Sequence, residues 1–187
     1  HDQTRRQRQM CIRDSFVRER LVPAEQQVAE SDAIPDDIVA DMKAMGLFGL
    51  SIPEELGGLG LTMEEEVMVA FELGRTSPAF RSLMGTNNGI GAQGILIDGT
   101  DEQKQKYVPQ LATGEVIGAF CLTEPDVGSD SGAVKTRAEK DGDHYILNGT
   151  KRFITNGPHA GLFTVMARTN PDLSLIHISE PTRLHVI

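Results

Sequence analysis

Two short runs of this chain hold the residue types best suited to chemistry. The first, Phe120 to Asp130, packs an apolar strand end (Phe120, Leu122), the trio Thr123, Glu124 and Pro125, and the turn residues Gly128, Ser129 and Asp130 into eleven residues. Pro125 has no N–H to give a ladder, so the strand must end there. Gly128 opens backbone conformations closed to other residues, and Ser129 with the amides after it can point at an anion. About thirty residues on, Lys151 to Gly157 ends another strand in the same way, with the Thr155 hydroxyl where the chain turns. Both runs finish in hydrogen-bond donors, which suits holding a ligand that carries negative charge.

Other reactive groups read more plainly. Glu124 and Asp130 invite a catalytic role, but an acid beside a strand end is more often a turn cap, and neither is taken as a base. Lys135, Arg137 and Lys151 read as solvated strand faces rather than phosphate ligands. Cys11 and Cys121 give no disulfide framework, and His1, His144, His159, His177 and His185 are scattered without metal-ligand spacing, so no metal is expected.

The elements that must position these runs change character once along the chain. Pro35, Asp36 and Asp37 open a helix carried by Ile38, Met42 and Met45 up to Gly46. Thr62 to Glu65 is a capping-box pattern, followed by Val67, Ala70, Phe71 and Leu73. Ser77 and Pro78 start a third helix, rich in small residues (Gly85, Gly89, Gly91, Gly94). These leave space beside the helix or serve close helix packing, and both readings stay open. Thr100 to Gln103 is a second capping box, leading through Tyr107 and Leu111 to Gly114, with Pro109 expected to break or end the helix early. After Glu115 the period becomes two. Strands are expected at Val116–Thr123, Val134–Glu139, His144–Leu147, Lys151–Thr155 and Leu162–Arg168, the middle three joined as a meander by two-residue turns. Helices followed by strands mean an α+β chain with segregated parts, divided near Gly114.

Composition sets limits. At 187 residues, with 39% hydrophobic and 24% charged residues, the chain suits a soluble globular protein. The net charge of −9 argues against nucleic acid or an anionic membrane as partner, so attraction to any polyanion must be local. No apolar run approaches the roughly 20 residues needed to span a bilayer, and no signal peptide is visible, so no membrane insertion and a cytoplasmic location are expected.

Taken together, the two donor runs resemble the flavin-binding segments of the acyl-CoA dehydrogenase family. Met45 to Gly60 is similar to that family's turn between early helices, and Gly99 to Tyr107 to the helix leading into its β-domain. The resemblance covers Phe16 to Asp172 and implies an N-terminal all-α helical domain (16–115) followed by an incomplete antiparallel β-barrel domain (116–172). Residues 1–15 and 173–187, which look like translated adapter sequence, are expected to be foreign to the natural chain, the first of them disordered. The implied reaction is α,β-dehydrogenation of an acyl-CoA thioester with FAD as electron sink. The implied partners are acyl-CoA, an electron-transfer flavoprotein as acceptor, and further copies of the chain in a homo-oligomer, a tetramer in the family.

The resemblance also assigns residues. Phe120, Leu122 and Thr123 would lie against the isoalloxazine, Thr123 on its pyrimidine side; on its own, Thr123 reads as a residue that merely ends a strand. Gly128 and Ser129 would meet the pyrophosphate, with Ser129 also at the entry of the CoA chain; alone they are an ordinary turn. Phe153, Ile154 and Thr155 match the second segment, with the Thr155 hydroxyl near flavin N5. Many relatives carry Trp where Phe153 stands, and Phe153 reads equally as a barrel-core aromatic. The family's catalytic glutamate lies in a C-terminal helical domain that this chain does not contain, so no catalytic residue is expected here and the chain alone should be inert. An acyl-CoA oxidase or a flavin monooxygenase of the same fold, and a short non-catalytic binding module, are the alternative readings.

Overall fold

The helix signals of the first half are obeyed almost one by one. The structure, a computed structural model, describes residues 12–169. A π-helical segment, α1 (Ile12–Leu21), buries Phe16, Val17 and Leu21 and runs directly into α2 (Val22–Ser31). Next, α3 (Asp36–Ala44) opens behind Pro35 with Asp36 and Asp37 in its first turn, where acids meet the unpaired amides of a helix start. In α4 (Met63–Leu73) Thr62 and Glu65 form the expected reciprocal capping box. The small-residue stretch is two helices rather than one: α5 (Pro78–Asn88) stops at Gly89, and α6 (Ile90–Asp98) follows.

A second capping box, Thr100 with Gln103, starts α7 (Asp101–Thr113). This helix passes straight through Pro109, against expectation. The carbonyl deprived of a donor is that of Gln105, an exposed residue, so water can take the missing N–H's place. Buried Val108, Leu111 and Ala112 hold the helix on both sides of the proline.

Two apolar clusters form the core. One gathers Phe16, Met42, Leu47, Phe48, Leu73 and Phe80 from the early helices. The other joins Ile52, Ala92, Ile95, Val108 and Leu111 to Leu162, which lies far along the chain in the last strand among the described residues.

The strands are few, as an α+β chain without a closed barrel requires. β1 (Gly118–Cys121) pairs with β4 (Leu162–Val165), and β2 (Arg137–Asp141) pairs antiparallel with β3 (His144–Asn148) through a turn at Gly142, φ 59°. The β1–β4 pair is parallel, with Gly118 opposite Leu162. The long connection carrying the β2–β3 hairpin lets the chain return to the same end before β4 begins. The strand expected at residues 151–155 does not form. Phe153 sits in the left-handed region at φ 57°, which breaks extended backbone, and the Arg152 amide bonds to the Thr123 carbonyl instead of a neighbouring ladder.

The expectations for residues 1–11 and 173–187 lie outside the described residues. Residues 12–15, expected to be without structure, belong to α1. Among the described residues no helix is long and apolar enough to cross a membrane.

Candidate functional site

The site begins where β1 runs out. Past Cys121 the chain leaves the ladder, with Leu122 and Thr123 half-buried and Glu124 only 5% exposed. A tight turn closes between Glu124 and Val127 by a reciprocal pair of backbone bonds of 2.9 and 3.2 Å. The Glu124 carboxylate is surrounded by donors. It accepts the Lys135 amide at 2.7 Å, the Thr136 amide at 2.9 Å, the Thr136 hydroxyl, and the Lys151 ammonium at 2.9 Å. Burial pushes this carboxyl up, but the Thr136 hydroxyl, the Lys135 amide, Lys151 and the Thr136 amide outweigh it and hold its pKa at about 2. Glu124 is therefore a fixed anion whose lone pairs are taken. It does not cap its own turn, whose bonds are all backbone, but ties three stretches of chain together.

Lys151 corrects the sequence reading. It is not a solvated strand residue: its side chain is 12% exposed, and its ammonium donates to both Glu124 and the Leu122 carbonyl, the latter at 3.0 Å. Alternation placed it outward, but no strand forms there to impose alternation. Lys135 and Arg137 are exposed, as expected, and Lys135 pairs with Asp126 at the surface. Burial pushes the Cys121 thiol up despite Lys151, so it stays an inert thiol.

The second run lies against the first. The Arg152 amide donates to the Thr123 carbonyl at 2.8 Å, and the Arg152 guanidinium stacks 4.4 Å from the Phe153 ring centre. Phe153 is 78% exposed, so it is no barrel-core aromatic in this chain. Ile154 is half-buried and Thr155 exposed. Asn156, at φ 61°, anchors the run on α5: its amide nitrogen donates to the carbonyls of Ser82 and Leu83, both at 3.1 Å, and to the Thr86 hydroxyl at 2.8 Å.

The structure thus sets the backbones of Leu122–Glu124 and Lys151–Phe153 side by side. Gly128 and Ser129 stand apart on the exposed turn beyond Val127. Gly128 does not use a left-handed conformation, and a side-chain carbon there would meet nothing within 4 Å. The fold itself does not demand glycine at 128; the space beside it is open. Gly91 answers the question left open for the small-residue helices. A side-chain carbon at Gly91 would lie only 2.5 Å from the Thr86 carbonyl oxygen of α5, so there the missing side chain serves the tight passage from α5 into α6.

Sequence reasoning missed Asn87 and Asn88. Both are buried at the end of α5 and fully bonded. Asn87 donates to the carbonyls of Leu111 and Val116 and accepts the Gly118 amide, which fixes where β1 starts relative to α7. Asn88 accepts the Leu50 amide and donates to the carbonyls of Leu47 and Met84. The available signal was two adjacent weak helix formers within an otherwise helical run. Beneath Asn156 a cavity of about 690 Å³ opens between α3, α5 and the 114–117 link, lined by Val39, Leu83, Val116, Ile117, Lys43 and His159. Among the described residues no cluster of His, Cys, Asp or Glu could hold a metal ion.

Comparison with known proteins adds the following. Residues 3–115 match the family model "Acyl-CoA dehydrogenase, N-terminal domain", and residues 119–182 match "Acyl-CoA dehydrogenase, middle domain". An acyl-CoA dehydrogenase of Bacillus subtilis (strain 168) is 39% identical over 161 residues, 86% of this chain and 42% of that protein. A (2S)-methylsuccinyl-CoA dehydrogenase of Cereibacter sphaeroides is 44% identical over 163 residues, 85% of this chain and 30% of that protein. A crystal structure of an acyl-CoA dehydrogenase from Bacillus anthracis, complexed with FAD, superposes with a TM-score of 0.79 at 34% identity, covering 89% of this chain and 29% of that one. The chain thus spans less than half the length of these proteins.

Proposed function

The chain belongs to the acyl-CoA dehydrogenase family, and from that premise we propose that it forms the helical and flavin-facing part of an FAD-dependent enzyme that dehydrogenates an acyl-CoA thioester between its α and β carbons. We place the junction of the two parts at Gly114, the left-handed residue that closes α7. The observation that carries the reading is the bond from the Arg152 amide to the Thr123 carbonyl, which sets two donor-rich runs side by side.

The residues present fit a flavin. Phe120, Leu122, Thr123, Phe153, Ile154 and Thr155 would hold the isoalloxazine. The exposed Phe153 ring, stacked on one face by Arg152, offers its other face as an apolar plate, and the open space beside Gly128, next to Ser129, admits a phosphate-bearing chain. Bound there, FAD would supply a two-electron acceptor. The protein's share is positioning and polarity: the Thr123 and Thr155 hydroxyls aim donors at a ring that gains negative charge, and Phe153 excludes water from one side. Glu124 accepts no substrate proton, because both its oxygens already accept hydrogen bonds from the protein and its pKa is held at about 2. On this reading the proton-abstracting carboxylate comes from outside the described residues. An electron-transfer flavoprotein as acceptor and assembly into a homo-oligomer belong to the same reading.

Titrating FAD into the full chain tests it, with quenching of flavin fluorescence as the measure. Binding is expected, and Thr155→Val should weaken it by about tenfold, the worth of one well-placed polar contact. No binding by the unsubstituted chain would overturn the reading.

A further inference from the structure

One backbone bond between two loops acts as a hinge: it sets a distance but leaves rotation free. The Arg152–Thr123 bond that joins the donor runs has this weakness. Immediately beside it lies the ion pair of Glu124 and Lys151, whose side chains are 4% and 12% exposed. We infer that this buried pair is a positioning device that fixes the spacing and tilt of the two runs, so that Thr123 and Thr155 address one flavin ring together. The inference rests on the reading of these runs as a flavin site.

The geometry fits that task. Lys151 reaches across to the first run twice, at the Leu122 carbonyl and at Glu124, one residue to either side of Thr123. Three points of attachment, with the Arg152 amide between them, remove the rotation that one bond allows. Glu124 is in turn held by the Lys135 and Thr136 amides at the approach to β2, so the first run cannot shift without breaking bonds to a second stretch of chain. Gly149 presses on the same anchor: a side-chain carbon there would run into Thr136, so the link from β3 to Lys151 passes directly over the residue that bonds Glu124. Neither charge is available to a ligand, since both are buried and mutually satisfied.

Stability alone gives a poor account of the pair. Well-packed apolar residues of similar size usually stabilise a protein as well as a buried ion pair does. What charged hydrogen bonds add is direction, and a binding site tolerates misplacement of only about 0.5 Å. The pair therefore acts through Thr123 and Arg152 and touches no ligand itself.

The experiment uses the full chain with Lys151→Met, Lys151→Arg, and the double substitution Glu124→Gln with Lys151→Met. FAD affinity and the shape of the bound flavin's visible absorption band are read together, with circular dichroism and thermal melting as folding controls. The double variant leaves no unpaired buried charge, so it covers the case in which Lys151→Met fails to fold. The expected result is a loss of FAD affinity of about tenfold or more and an altered band in the double variant, which keeps its helical signal, with Lys151→Arg restoring both toward the unsubstituted chain. Unchanged affinity and band shape in a folded double variant overturn the inference and leave the flavin reading standing. Failure of the unsubstituted chain to bind FAD overturns the flavin reading, and this inference with it.

Discussion

Phe153 combines two properties that a residue without a task would not keep: a left-handed backbone and a ring that is 78% exposed. The conformation costs a non-glycine residue about 1–2 kcal/mol, and the exposed ring recovers little of that by burial. Bonds on both sides, from Lys151 and from Asn156, hold the backbone in place. Phe153→Gly should therefore leave the melting temperature unchanged or slightly raised, strain relief offsetting the entropy of glycine, while FAD affinity falls. A thermal melt beside a flavin titration checks both, and a clear loss of stability would mean the ring packs against the protein after all. Glu124 carries a different signature. Its carboxyl is lowered from 4.5 to about 2, so the native state favours the carboxylate. That stabilisation is complete above about pH 4.5 and disappears as pH falls from there through about 2. It amounts to roughly 3 kcal/mol. Urea unfolding at pH 6 and pH 3 should show the loss, and Glu124→Gln should flatten the difference between the two.

Between residues and the whole, the elements sort by how local their causes are. The capping boxes at Thr62 and Thr100, the acid-led start of α3 and the β2–β3 turn were all legible, because each is settled by residues within one turn of one another. What escaped was settled at a distance. The strand expected at 151–155 lost to bonds with Thr123 and with α5, Lys151 was drawn inward by a carboxylate far back in the chain, and the break at Gly89 goes with two asparagines whose partners lie in other elements. The site showed the same division: its residue types were visible as two motifs, while the ion pair and the asparagine anchors that hold them were not. Pro109 tests the balance of local and distant causes. Its place inside α7 is imposed by packing against local preference, so Pro109→Ala should raise stability by about 1 kcal/mol or more, since it restores an N–H opposite Gln105. Thr100→Ala should lower stability by about 1 kcal/mol through loss of the cap. Chemical unfolding of the two variants, side by side, measures both signs.

At the scale of the molecule, one surface stands out. Met63, Val67 and Phe71 recur every fourth residue along α4 and are 74%, 45% and 75% exposed, with Met68 beside them at 52%. A contiguous apolar stripe of this kind promotes association in water. Met63→Gln with Phe71→Lys should reduce self-association in sedimentation velocity without lowering the melting temperature, because neither side chain contributes to the core. The core itself has an unusual closing piece. Leu162 completes the cluster built by Ile95, Val108 and Leu111, although those three lie in helices that precede it by a long stretch of chain. On a ribosome, which extends a chain by ~5–20 residues per second, the helices would emerge with that cluster unfinished and wait roughly 3–10 s for β4. During that interval the side of the cluster that Leu162 will cover faces water, and a chaperone that grips short apolar segments of nascent chains has its window there.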